Sequence, residues 1–144
     1  MNRQQFMGLT LIGLVSILSL GTPSRSARGQ TSIEQATLRN TLLSKHNTYR
    51  TAHRSPAMTL NDSLNSTAQS WAKQIATIGV LAHSSSSQRN GAGENLYVSY
   101  TTASSTATDT LANSAVKSWY DEVAKYNYAN PGFAASTGHF TLLR

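Results

Sequence analysis

The chain contains no cysteine, yet it opens on a segment built for export, and together these limit what can hold it folded. Met1 to Gln5 carries one Arg, Phe6 to Leu20 is an uncharged and mostly apolar run, and small and polar residues follow. Ala27-Arg28-Gly29 supplies a small-x-small cleavage site, which completes the order of a secretory signal peptide over residues 1–29. The apolar run is short for a membrane span, which needs about 20 residues. An uncleaved N-terminal anchor is the alternative reading. The missing cysteine excludes a lipoprotein anchor. An exported chain without disulfides must be stabilised by core packing, helped at most by a metal. The lack of cysteine also fits a bacterial origin better than a eukaryotic extracellular one.

Charge narrows the partners. Residues 1–29 hold Arg3, Arg25 and Arg28; beyond them nine basic residues stand against six acidic ones, a net charge of +3. The basic residues are scattered singly. A nucleic-acid binder clusters its positive charge, so nucleic acid is not expected as a partner. Once the leader is cleaved, no membrane span is expected either.

Periodicity then lays out one domain over 33–144. Ser32 and Gln35 form a capping box ahead of a first helix at 33–53, with Leu38, Leu42, Leu43, His46 and Tyr49 on one stripe. Ser55-Pro56 stops it. A second helix begins near Asn61 or Asp62, carries Leu64, Ala68, Trp71, Ala72, Ile75 and Ile78, and ends at Gly79. Residues 84–93 read as a polar loop, 95–100 as a short strand, and 101–108 as a Ser/Thr/Ala surface insertion. Asp109 is placed to cap a third helix with Leu111, Ala115, Val116, Trp119, Tyr120 and Val123 buried. Asn130-Pro131-Gly132 is a turn, and Gly138 to Leu143 reads as the start of a strand. The glycosylation-type triplets at Asn61 and Asn65 fall on the second helix and are read as chance matches.

Only four histidines and three glutamates exist, so candidate sites are few. His83 follows the second helix, Glu94 follows two glycines that permit close backbone approach, Glu122 ends the third helix, and His139 opens the last segment. On composition alone nothing links these four. Their order along the chain is more telling: His46-Asn47-x-x-Arg50, His83-Ser84, Gly93-Glu94-Asn95-Leu96, Trp119-Tyr120-Asp121-Glu122, Tyr126-Asn127-Tyr128, Pro131-Gly132-Phe133 and Gly138-His139-Phe140-Thr141.

This series resembles the CAP superfamily of cysteine-rich secretory, antigen-five and pathogenesis-related proteins, over roughly residues 36–141. The resemblance implies an α+β fold, an α-β-α sandwich of three main helices around an antiparallel sheet. It implies that His83, Glu94, Glu122 and His139 line a cleft for a divalent cation such as zinc. His83 and His139 would be the metal ligands, and Glu94 and Glu122 either ligands or hydrogen-bonding supports. A buried polar network without metal is the alternative. His46, Asn47 and Arg50 are implied to be structural, and His53 is read as solvated. Trp71, Trp119 and Tyr120 are read as core; for Tyr97 and Tyr100 the cleft and solvent stay open.

Departures from the family pattern accompany these motifs. The Ser/Thr insertion lengthens the Glu94–Glu122 spacing, and the apolar strands that follow the last motif in relatives are not present, so the C-terminal part of the sheet is expected to be incomplete. A secreted or periplasmic binding protein, with a cation and a small or lipid ligand in the cleft, is the first functional expectation. A metal-dependent hydrolase with Glu94 or Glu122 as general base is the second. A Ser84-based route is conceivable beside His83, but neither a G-x-S-x-G elbow nor an HExxH helix is present.

Overall fold

The structure, a computed structural model, describes residues 10–15, 32–99 and 107–144. Most of the expected leader, Tyr100 and most of the expected insertion lie outside the described residues. In chain order the elements are β1 (Thr10–Val15), α1 (Ser32–Ala52), α2 (Asp62–Ile78), β2 (Gly93–Val98), α3 (Thr108–Tyr120), a 3-10 turn (Asp121–Lys125) and α4 (Gly138–Leu143). The fold is α+β, as the sequence implies.

The main core lies between α1 and α3. Leu38 and Leu42 pack on Leu111, Ala112, Ala115, Val116 and Trp119, and Leu143 closes the end of the layer. The two alanines on α3 are fully buried, which lets the helices approach closely. Tyr49 and Tyr120 extend this layer as a stacked pair, with ring centroids 3.7 Å apart. Tyr97 packs against the same cluster, which answers the open choice between cleft and solvent with neither.

Local chemistry sets the boundaries of α2. The Asn61 side chain accepts the Leu64 amide at 3.1 Å, a standard N-cap bond that also gives the first glycosylation-type triplet a structural use. At the other end Gly79 turns left-handed with φ 69°, and its amide reaches Ile75 O at 2.8 Å. The buried stripe is Ala68, Ala72 and Ile75, the last two against Leu96, with Trp71 half-buried beside them. Ile78, expected on that stripe, is exposed.

Four further expectations are corrected. Asp109 does not cap α3: the helix begins at Thr108, two residues earlier than such a cap requires, with Ala107 as N-cap and no side-chain cap bond. Asp109 lies instead within the first turn, where its charge favours the helix dipole. Gly138 to Leu143 forms a helix and not a strand. A strand there would need a partner for its backbone groups, whereas a helix satisfies its own and puts Phe140 and Leu143, three apart, on one buried face. The pairing of β2 among the described residues is parallel, with β1, a stretch of the expected 1–29 leader, in register from Thr10 opposite Gly93 to Val15 opposite Val98; no antiparallel pair is formed among the described residues. A parallel pair needs a long crossover, and the helices between β1 and β2 supply it. Finally, His53 is not solvated. It sits half-buried between the hydroxyls of Tyr120 at 3.2 Å and Tyr128 at 3.4 Å, with the Phe140 ring edge-on, because α4 folds back over it.

Candidate cation cleft

Each of the four candidate residues is positioned by a different element. His83 stands just after α2, in a segment anchored where Trp71 Nε1 donates to Ala82 O at 3.0 Å. Glu94 is the second residue of β2, and its side chain is 1% exposed. A buried carboxylate must find donors, and it does. Oε1 accepts from His83 Nδ1 at 2.6 Å and from the Ser84 amide at 3.0 Å; Oε2 accepts from Ser84 Oγ at 2.7 Å. The Arg89 guanidinium lies 3.9 Å from Oε1 and also donates to Ser84 O, tying the 84–93 loop to the carboxylate.

The second pair repeats the arrangement. Glu122, in the 3-10 turn, accepts from His139 Nδ1 at 2.7 Å through Oε1 and from the Phe140 amide at 3.1 Å through Oε2. The carboxylate thus fixes the ring and also caps the first turn of α4, whose own N-cap residue Thr137 makes no side-chain cap bond. His139 is further held by Asn95 Nδ2, which donates to its carbonyl at 3.1 Å, and by the Trp119 ring stacked at 6.4 Å. Trp119 is itself pinned by its Nε1 donating to Leu96 O at 3.0 Å.

The two pairs open on one cleft of about 440 Å³, walled by His83, Glu94, Asn95, His139, Arg89 and Phe133. Glu122 stands behind His139 and outside that wall. Two glycines shape the cleft. A Cβ on Gly93 would lie 2.7 Å from Leu142 Cδ2, and one on Gly138 would lie 2.9 Å from Phe133 Cε2. Arg89 and Ser84 belong to the site as supports that composition did not single out. The one sequence signal for Arg89 is its place as the single charged residue in the polar 84–93 loop.

The bonding pattern settles what each group can do. With Nδ1–H given to a carboxylate, each imidazole presents Nε2 as a bare acceptor, the form in which histidine binds a metal. The carboxylate bonds of both rings are made through Nδ1 and leave the Nε2 edges out of them. No group of three or more His, Cys, Asp or Glu side chains is arranged to hold a metal among the described residues. Both imidazoles belong to the wall of one cleft, each with its Nδ1 edge taken by a carboxylate. Ser84 Oγ is buried and donates to Glu94, not to His83, so it is not an activated nucleophile.

His46, Asn47 and Arg50 sit elsewhere. His46 is fully buried, with Nδ1 donating to Leu42 O at 2.8 Å, and burial holds it below its ordinary pKa. Asn47 clamps Met58 through both its amide groups, at 3.0 and 2.8 Å. Arg50 donates from Nε to Pro56 O at 2.7 Å and from Nη1 to Leu143 O and Arg144 O at 3.0 and 2.8 Å. All three brace the fold around α1 and α4.

A helical layer joined to a short strand brings two carboxylate-oriented histidines to the wall of one cleft. The chain belongs to the CAP family, described as the cysteine-rich secretory protein family, whose model matches residues 43–143. It is 37% identical over 105 residues to Golgi-associated plant pathogenesis-related protein 1 of Homo sapiens, covering 72% of this chain and 63% of that protein. It is 37% identical over 101 residues to Protein PRY2 of Saccharomyces cerevisiae, covering 69% of this chain and 26% of that one. The chain thus spans less than two thirds of either relative. No solved structure matches it.

Proposed function

We propose that this protein is an exported binding protein whose cleft holds a divalent cation, zinc among them, through Nε2 of His83 and Nε2 of His139. The observation that carries this reading is the duplicated His–Glu pair. Two unrelated segments each spend a carboxylate on Nδ1 of a histidine, and both histidines line one cleft. Bound there, the cation supplies Lewis acidity and open positions for a small or lipid ligand; the Glu94 and Glu122 carboxylates orient the rings. Export is supported by the apolar leader and by the secretory character of the family. No helix among the described residues is long and apolar enough to cross a membrane.

Binding is favoured over hydrolysis by the carboxylates' engagements. All of Glu94's contacts are internal, and both oxygens of Glu122 are occupied by His139 and Phe140, so neither is poised as a general base. Calorimetric titration of the full chain with zinc tests the reading. One saturable site is expected, lost in His83→Ala and in His139→Ala; heats that are unchanged in both variants refute it.

A further inference from the structure

The wall of the cation cleft mixes two chemistries. His83, His139 and Arg89 bring polar side chains to it, whereas Phe133, Ala135 and Leu142 bring only carbon. Phe133 is the largest of the apolar three and is 74% exposed. A phenylalanine standing alone on a surface needs no explanation. This one is set apart by how its backbone and its ring are held.

The backbone is tied on both sides of the ring. The Gly132 amide donates to the Tyr126 hydroxyl at 3.2 Å, Gly132 O accepts from Thr141 Oγ1 at 3.4 Å, and Ala134 O accepts from the Thr137 amide at 3.0 Å. The exposure of Phe133 is therefore not that of a loose loop. The ring itself reaches α4 only by its edge. Gly138 makes the room, since a Cβ there would lie 2.9 Å from Cε2 and 3.3 Å from Cζ. Phe133 thus stands at the residue before His139, in the same cleft wall, with most of its surface uncovered.

We propose that Phe133 determines the specificity of the cleft, and that the ligand it selects joins an aromatic ring to an anionic oxygen head held by the cation. This inference rests on the cation reading given above. The head follows from charge: imidazoles that bind a metal are neutral, so a divalent cation between two of them keeps its full charge for an anionic oxygen. The ring follows from Phe133. An aromatic partner gains an offset or edge-to-face contact with the phenyl group beyond the burial that a saturated group of equal size gains. A cleft of about 440 Å³ has room for both parts of one small molecule.

The full chain, loaded with zinc, is titrated by calorimetry with acetohydroxamate, cyclohexanecarbohydroxamate and benzohydroxamate. All three share the head, and the two ring compounds differ in the π face. Benzohydroxamate is expected to bind about tenfold more tightly than acetohydroxamate and about threefold more tightly than the cyclohexane compound. Phe133→Leu keeps apolar bulk without the π face and is expected to bring the two ring compounds to equal affinity. Equal affinities of the ring compounds for the unaltered protein overturn the proposal, as does a preference for benzohydroxamate that survives Phe133→Leu. A chain that takes up no zinc overturns the cation reading and this inference with it; zinc uptake without the ring preference overturns the inference alone. The comparison on the unaltered protein decides the matter even if Phe133→Leu fails to fold.

Discussion

Glu122 holds His139 through a 2.7 Å bond from Nδ1 to Oε1, and the same carboxylate takes the Phe140 amide through its other oxygen at 3.1 Å. One side chain therefore orients the imidazole and starts α4. Glu122→Gln separates the two tasks. The amide oxygen can still accept from one donor, while the negative charge beside the His139 ring is gone. Zinc affinity is expected to fall about 10- to 100-fold, the usual effect of losing such an orienting partner, with the helical circular dichroism preserved. Calorimetry on the variant checks this; affinity equal to that of the unaltered chain removes Glu122 from the site.

His46 carries a pH prediction. Burial is the largest cause holding its pKa below the ordinary value of 6.5, and nearby Arg50 acts in the same direction, against the bond to Leu42 O. The unfolded chain thus binds the proton more readily than the folded one, and stability rises with pH in this range. The contribution is complete above about pH 6.5 and is lost as pH falls below it towards the lowered folded value. Thermal melts between pH 7.5 and 5 are expected to show Tm falling on acidification. In His46→Phe that fall is smaller, and parallel curves for the two proteins count against the assignment.

Much of this arrangement was legible in the sequence, for physical reasons that differ by element. The α2 boundaries follow from local chemistry, an Asn cap and a glycine able to turn left-handed, so Asn61 and Gly79 could be read directly. The His–Glu candidates were legible only through the order of the motifs, because Glu94 and Glu122 sit 28 positions apart and no periodicity joins them. The segment from Gly138 to Leu143 was misread because a run of six largely apolar residues suits either a strand or a helix turn. Its state depends on which partner it meets, which is tertiary information. His53 was misread for the same reason: its surroundings are made by Tyr120, Tyr128 and Phe140, all far along the chain.

The two cleft glycines are expected to differ in their tolerance of alanine. At Gly93 the added carbon meets three atoms of Leu142, the nearest at 2.7 Å, so that half-buried side chain must turn as a whole. Gly93→Ala is expected to cost about 1–2 kcal/mol, in the range of overpacking. At Gly138 the obstacle is the edge of Phe133, which is 74% exposed and free to swing outwards. Gly138→Ala is expected within about 0.5 kcal/mol of the unaltered protein. Urea denaturation of both variants measures the difference, and equal midpoints contradict the packing described here.

Arg50 joins three parts of the chain that the sequence separates. Its Nε bonds Pro56 O just past α1, while Nη1 reaches the main-chain oxygens of Leu143 and Arg144 at the end of α4. Those oxygens are among the groups a helix end leaves without intrahelical partners. The planar guanidinium can donate in two directions at once; an ammonium has one point of charge on a flexible stem and cannot span both. Arg50→Lys is therefore expected to keep the bonds on one side and lose those on the other, at a cost of about 1–2 kcal/mol. The loss should be local. Hydrogen exchange is expected to quicken at the amides of Thr141 and Arg144, whose donors form the α4 bonds to Thr137 O and Phe140 O, while the α2 amides keep their protection. Because His139 lies on the first turn of α4, loosening that helix also loosens the Glu122 bonds to His139 and Phe140, so zinc affinity should drop in Arg50→Lys even though the substituted residue is not in the cleft wall. Exchange that speeds equally in α2 and α4 would mark a global effect in place of the tether.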